Sequence, residues 1–191
     1  MVFSSHLFLF YFLPLALGLY FLVQGFGSKA RNLVLIATGY AFYGWAEPVF
    51  MFLMFLTTFT DWIASLVIAR GTLRFWSDWG DAVPLLEKGT GRSWVQSAAL
   101  AISVGLNVST LGFFKYFNFG VANYNSLMRS LGVESWQWNT FFEVILPLGI
   151  SFYTFQAISY TVDVYRGEAR AMGSPIDFSC FVSMFPHLVA G

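Results

Sequence analysis

Three groups of polar side chains stand inside otherwise apolar stretches of this 191-residue chain, and any chemistry it performs draws on them. Thr57, Asp61 and Ser65 recur at helical spacing and share an arc of about 80° at 100° per residue. Ser103, Asn107 and Thr110 share an arc of about 60°; Gly149, Tyr153, Gln156, Tyr160 and Asp163 share one of about 80°. A polar side chain in hydrocarbon is costly unless it is paired or faces water. Two readings follow. The stripes line a common polar cavity, with Tyr153 and Tyr160 among its lining residues and Asp61, Gln156 and Asp163 binding or orienting a polar substrate. Alternatively, they join helices by hydrogen bonds, with Asp163 at an interface beside Arg166. For Ser103, Asn107 and Thr110 the joining role is preferred; for Asp61, a carboxylate well inside its run, the two stand level. Glu143, near the start of its run, is expected to reach back toward water.

His187, in Phe185-Pro186-His187-Leu188-Val189-Ala190-Gly191, is the one histidine beside an apolar run and joins the cavity candidates, because imidazole is the usual base near neutral pH. No carboxylate or nucleophile accompanies it in sequence. GxSxG, Walker A, GxGxxG and HExxH motifs are absent. The single cysteine, Cys180, and the lack of any CxxC or Cys/His cluster set aside disulfide and zinc chemistry, and no metal is expected. Asn107-Val108-Ser109 has the form of a glycosylation site but falls inside an apolar run.

The elements that position these groups follow from composition. Only 10% of residues are charged, 57% are hydrophobic and 20% aromatic, and the mean hydropathy is +0.64. A soluble exterior needs more polar surface than that, so the surrounding solvent is mostly lipid. Ten Lys and Arg balance ten Asp and Glu, which leaves no basic excess for nucleic acid. An all-α, polytopic transmembrane protein is expected. A span needs about twenty apolar residues, and the runs lie at about 7–23, 33–46, 48–69, 95–114, 140–162 and 176–191. They form one domain with no repeat and no linker.

Pro14 and Gly18 should bend the first run, and Pro147 and Gly149 the fifth. The absence of Lys or Arg before Leu7 argues against a signal peptide. The second run covers only about 21 Å and must thin the bilayer, gain length from Arg31 and Asn32, or stay re-entrant. The sixth stops abruptly after Pro186, as in a chain that continues. Arg70 to Trp94, with its charges and tryptophans, reads as headgroup-level chain. Within Lys115 to Asn139 the residues Phe117, Val121, Tyr124, Met128 and Leu131 fall on one arc, which reads as a separate helix lying in the interface. If the five complete runs all span, Lys29, Arg31, Arg70, Arg74, Lys88, Arg92, Arg166 and Arg170 share one side, against Lys115 and Arg129 on the other. The basic side is expected to be cytoplasmic, placing the N-terminus and Ser130 in the periplasm and Gly80 in the cytoplasm.

To this point a transporter, a channel subunit and an intramembrane enzyme all fit. Longer stretches discriminate. Phe10-Tyr11-Phe12-Leu13-Pro14, Phe42-Tyr43-Gly44-Trp45-Ala46-Glu47-Pro48, Leu111 to Phe119, and above all Leu146 to Gly167 (LPLGISFYTFQAISYTVDVYRG) followed by Asp177-Phe178 and FPHLVAG resemble the bacterial membrane-bound O-acyltransferases, in the branch that acetylates alginate. The resemblance covers the chain but only the N-terminal portion of such proteins. It implies acetyl transfer from a cytoplasmic donor, acetyl-CoA or a derivative, across the inner membrane toward an exopolysaccharide. Other cell-envelope acceptors, peptidoglycan, cellulose or D-alanylated teichoic acid, are the alternatives. It implies membrane lipid, periplasmic acetylation proteins and a polysaccharide, met directly or through those proteins, as partners, with no bound cofactor. The histidine regarded as catalytic lies on a later segment of the family, so no catalytic residue is assigned in this chain, and the stretch alone is expected to be inactive.

Overall fold

The computed structural model describes residues 6–46, 48–73, 83–133, 136–138, 144, 146–147 and 149–184. Helix is the only regular structure among them. Six α-helices follow in order: α1 (Leu13–Leu22), α2 (Ser28–Ala46), α3 (Pro48–Arg70), α4 (Trp94–Ser130), α5 (Ile150–Arg166) and α6 (Pro175–Ser183). Two of them, α3 and α4, are long and apolar enough to cross a membrane. The all-α membrane architecture expected from composition is the one observed.

Proline sets the first helix. Pro14 has no N–H, and its ring would meet the carbonyl four residues earlier. The chain avoids this with a π-helical turn at Phe8–Phe12, in which the Leu13 N–H donates to the Phe8 carbonyl, and α1 continues from there through Gly18 without interruption. Of the alternatives for the second run, α2 takes the added length: it begins at Ser28, and its 19 residues reach about 28 Å.

Helix α4 departs from expectation. Its 37 residues, about 56 Å, merge the fourth apolar run with the stretch read as an interfacial helix. No proline intervenes, and an isolated glycine such as Gly112 or Gly120 costs only about 1 kcal/mol of helix propensity. Helix α5 also differs, starting at Ile150 rather than Thr140. Pro147 cannot donate, and Gly149 takes a left-handed φ of 73°, so the helix starts after them instead of running kinked through them. Helix α6 covers nine residues and gives way to extended backbone at Met184. Residues 74–82 of the headgroup-level stretch, together with Glu143, Gly80 and His187, lie outside the described residues.

The helices alternate in direction. Ser93 and Gln96 form a capping box at the start of α4, each side chain accepting the other's backbone N–H, and Gln96 Nε2 donates to the Ile68 carbonyl near the end of α3, 2.7 Å away. Arg92 Nε donates to the Tyr165 carbonyl at the end of α5 (2.7 Å), and Asn32 near the start of α2 donates to Asp177 at the start of α6 (2.6 Å). These bonds place Lys29, Arg31, Arg70, Lys88, Arg92, Arg166 and Arg170 around one end of the bundle, while Lys115 and Arg129 lie further along α4.

The core centres on α3, α5 and α6 with Tyr43 of α2, and Trp62, Met54, Ile68, Tyr153, Val164 and Phe178 are almost wholly buried. Gly39 of α2 lies against the Ser183 carbonyl so closely that a Cβ there would overlap it.

Candidate functional site

The Asp61 side chain is fully buried where α3 faces α4. Ser103 Oγ donates to Asp61 Oδ1 at 2.6 Å. Asn107 Nδ2 donates to Oδ1 and Oδ2 at 2.8 and 2.9 Å. The stripes of α3 and α4 thus meet each other. Helical spacing explains why: Ser103 and Asn107 are one turn apart and present two donors at the height of a single carboxylate. Of the other members of the α3 stripe, Thr57 donates to the Leu53 and Met54 carbonyls, and Ser65 bonds the Trp62 carbonyl and the Tyr160 side chain of α5.

The α5 stripe faces different neighbours. Gln156 Nε2 donates to the Phe181 carbonyl of α6 at 2.9 Å. The buried Tyr153 ring meets Tyr43 of α2 edge-on, with centroids 6.5 Å apart. The Tyr160 ring lies against Phe178 at 4.9 Å, and its hydroxyl accepts the Met172 N–H at 2.6 Å. Trp62 Nε1 donates to the carbonyl of the same Met172 at 2.9 Å, so one residue of the α5–α6 loop is held from two helices. Asp163 is half-buried near the end of α5, where its backbone carbonyl accepts from the N–H groups of Glu168 and Ala169. Within this stretch of chain the structure joins Asp61 to the α4 stripe, and Tyr160 of the α5 stripe meets Ser65 of the α3 stripe through a side-chain hydrogen bond. Among the described residues no group of three or more His, Cys, Asp and Glu gathers as a metal site would require.

A second constellation lies toward the far end of α4 and was not singled out in the sequence. After α4 the chain turns at Gly132 (φ 72°), where the N–H groups of Gly132 and Val133 return to the carbonyls of Arg129 and Met128 in a C-capping turn. Trp138 and Val144 lie back along the helix. Asn125 accepts the Trp138 N–H through Oδ1 (2.7 Å) and donates to the Trp138 carbonyl through Nδ2 (3.0 Å). Asn118 does the same with Val144, at 3.1 and 2.8 Å. The two asparagines are seven residues apart, two helical turns, and so lie on one face. Their spacing and the Trp136-Gln137-Trp138 run were the available signals. Between the returning segment and α4 a recess of about 690 Å³ opens, walled by Tyr116, Phe117, Tyr124, Trp136, Gln137 and Trp138.

Comparison with known proteins places these features in a lineage. The chain is 42% identical over 192 aligned residues to the probable alginate O-acetylase AlgI of Pseudomonas putida, a match that takes in all of this chain and 34% of that protein. The corresponding protein of Pseudomonas aeruginosa is 40% identical over 192 residues, all of this chain and 32% of that protein. A peptidoglycan O-acetyltransferase of Helicobacter pylori is 28% identical over 220 aligned residues, again all of this chain and 36% of that protein. The chain therefore spans about a third of the length of the curated relatives it matches. No family model matches the chain, and no solved structure is similar to it. Along its whole length the chain is thus similar to proteins named probable alginate O-acetylase, of which it corresponds to about a third.

Proposed function

We propose that the protein containing this stretch is an O-acetyltransferase that moves acetyl groups through the membrane to a cell-envelope polysaccharide, with alginate as the first acceptor to test. The observation that carries this reading is the identity of 40 to 42% along the entire chain to relatives named alginate O-acetylase. The lower identity to a peptidoglycan O-acetyltransferase puts that polymer second.

In this reading the donor is acetyl-CoA or a derivative, approaching from the cytoplasm. The basic end of the bundle faces that side of the inner membrane, because cytoplasmic segments carry the excess of Lys and Arg. The N-terminus and the far end of α4 then face the periplasm, where partner proteins and the polymer are met. Transfer requires a base to take the acceptor hydroxyl's proton, dipoles to hold the oxyanion, and a site that excludes water. The present residues supply the frame. Asp61, Ser103 and Asn107 lock α3 to α4, and Trp62 and Tyr160 fix the loop leading into α6. The base is assigned to the later part of the family, so residues 1–191 expressed alone transfer no acetyl.

The test is a strain lacking the complete gene. Loss of labelled acetate from its secreted polymer, restored by the complete gene, supports the reading; unchanged labelling overturns it. Accumulation of a solute in vesicles without acetyl transfer would identify a transporter instead.

A further inference from the structure

We propose that the cleft between the loop leading into α4 and the end of α5 binds the phosphate group of an anionic phospholipid. The cleft holds about 510 Å³ and is walled by Lys88, Thr90, Arg92, Tyr165, Arg166 and Glu168, with Gly89 at its turn. All of these residues lie in two unbroken described stretches, 83–133 and 149–184. The cations among them outnumber the one carboxylate, and the surplus complements a phosphodiester. Lys88 and Arg166 are exposed, and among the described residues neither makes an ion pair or a side-chain hydrogen bond, with Glu168 or any other group. Like charges that line one cleft without a counter-ion favour an anion between them.

Two observations separate the cleft from the general excess of Lys and Arg at this end of the bundle. The first is construction. Arg92 is half-buried and fixed: Nε donates to the Tyr165 carbonyl (2.7 Å), Nη1 to Thr90 Oγ1 (2.8 Å) and Nη2 to the Glu87 carbonyl (3.0 Å), while the guanidinium lies 5.8 Å from the Tyr165 ring centre. Each nitrogen is engaged, and the second N–H of Nη1 and of Nη2 remains for an anion. Tyr165 Oη is itself 3.0 Å from Ser97 Oγ, and the Leu86 carbonyl lies so close to Gly167 that a Cβ there would overlap it. The loop is therefore seated on the helix end before a ligand arrives, which lowers the cost of binding. The second is depth. The fifth apolar run ends at Val162, so Tyr165 and Arg166 stand about 5–6 Å beyond it along α5, and headgroups add about 5–8 Å per leaflet. Lipid phosphate is present at that level in the membrane itself, which favours it over a dissolved phosphate. The assignment needs only this depth; it depends neither on acetyl transfer nor on which side of the membrane the basic end faces.

The complete protein in detergent, titrated with phosphatidylglycerol and separately with zwitterionic phosphatidylcholine while bound lipid is followed by native mass spectrometry, tests the assignment. Saturable binding of phosphatidylglycerol is expected, about tenfold tighter than that of phosphatidylcholine. Lys88→Gln combined with Arg166→Gln should weaken it about thirtyfold, with the melting temperature retained because neither side chain has a partner among the described residues. Glu168→Gln should tighten it. Lys29→Gln combined with Arg170→Gln removes as much charge from the same end of the bundle but outside the cleft, and should leave the affinity unchanged. Equal weakening by the two pairs would mean diffuse attraction and overturns the proposal, as does equal binding of the two lipids. Inorganic phosphate that displaces phosphatidylglycerol at equal concentration would mark a site for a dissolved anion and overturns the lipid assignment.

Discussion

Asn107 and Asp61 meet amide to carboxylate across the α3–α4 seam, one Nδ2 lying 2.8 and 2.9 Å from the two carboxylate oxygens. Ser103 adds a third hydrogen bond at 2.6 Å, so a fully buried acidic side chain is held entirely by neutral donors from a single neighbouring helix. A site of this kind fixes the axial register of the two helices, because sliding α4 by one residue removes both donors together.

Removing one donor exposes the cost of that burial. Asn107→Ala should destabilise the full-length protein by about 3 kcal/mol, since the carboxylate stays buried with a partner missing. Asp61→Leu combined with Asn107→Ala should cost less than the sum of the single changes. Thermal unfolding in detergent measures all three. Additivity within about 0.5 kcal/mol would mean the two residues are not coupled.

Gly39 and Gly105 make a matched pair. Both sit in helix interiors, where alanine is intrinsically favoured by about 1 kcal/mol. A Cβ on Gly39 overlaps the Ser183 carbonyl, whereas one on Gly105 meets nothing. Gly39→Ala should therefore destabilise by about 1–3 kcal/mol and Gly105→Ala should be neutral or stabilising. Equal shifts in melting temperature would contradict the tight α2–α6 contact.

The asparagine rungs predict a local effect. Asn125→Ala should speed amide exchange at Trp138, and Asn118→Ala at Val144, while α4 between Gln96 and Leu111 keeps its protection. Each exposed pair of bonds is worth about 1–2 kcal/mol, enough for roughly tenfold faster exchange. Unchanged exchange at both positions would show that the returning segment is held by something else.

Sidedness has a chemical readout. Lys88→Cys should be inert to a membrane-impermeant thiol reagent in intact cells, and Ser130→Cys should react; Cys180 is buried and suits the background. The opposite pattern inverts the proposed orientation.

Sequence reading reached the membrane architecture because an apolar run near span length with at most one charge finds few environments besides lipid that can hold it, and α3 coincides closely with its run. It misplaced the start of α5, since Gly149 acts as a left-handed cap only in the context of Pro147 and the turn before the helix. It divided α4 because Lys115 and the polar residues after it resemble a change of environment, while nothing there breaks the helix. The polar stripes were legible as faces but not as partners. Periodicity tells which residues of one helix look the same way, and only packing shows that Asp61 of α3 takes its donors from α4 while Gln156 of α5 turns to α6. Asn118 and Asn125 escaped notice because their partners are backbone atoms, which leave no side-chain signature.

That last point has an evolutionary consequence. Residues seated through their main chain place few demands on their own side chains, so substitutions at positions 138 and 144 can accumulate without unseating them, provided Asn118 and Asn125 persist. The side chains at these two positions are thus free to vary on a fixed mount.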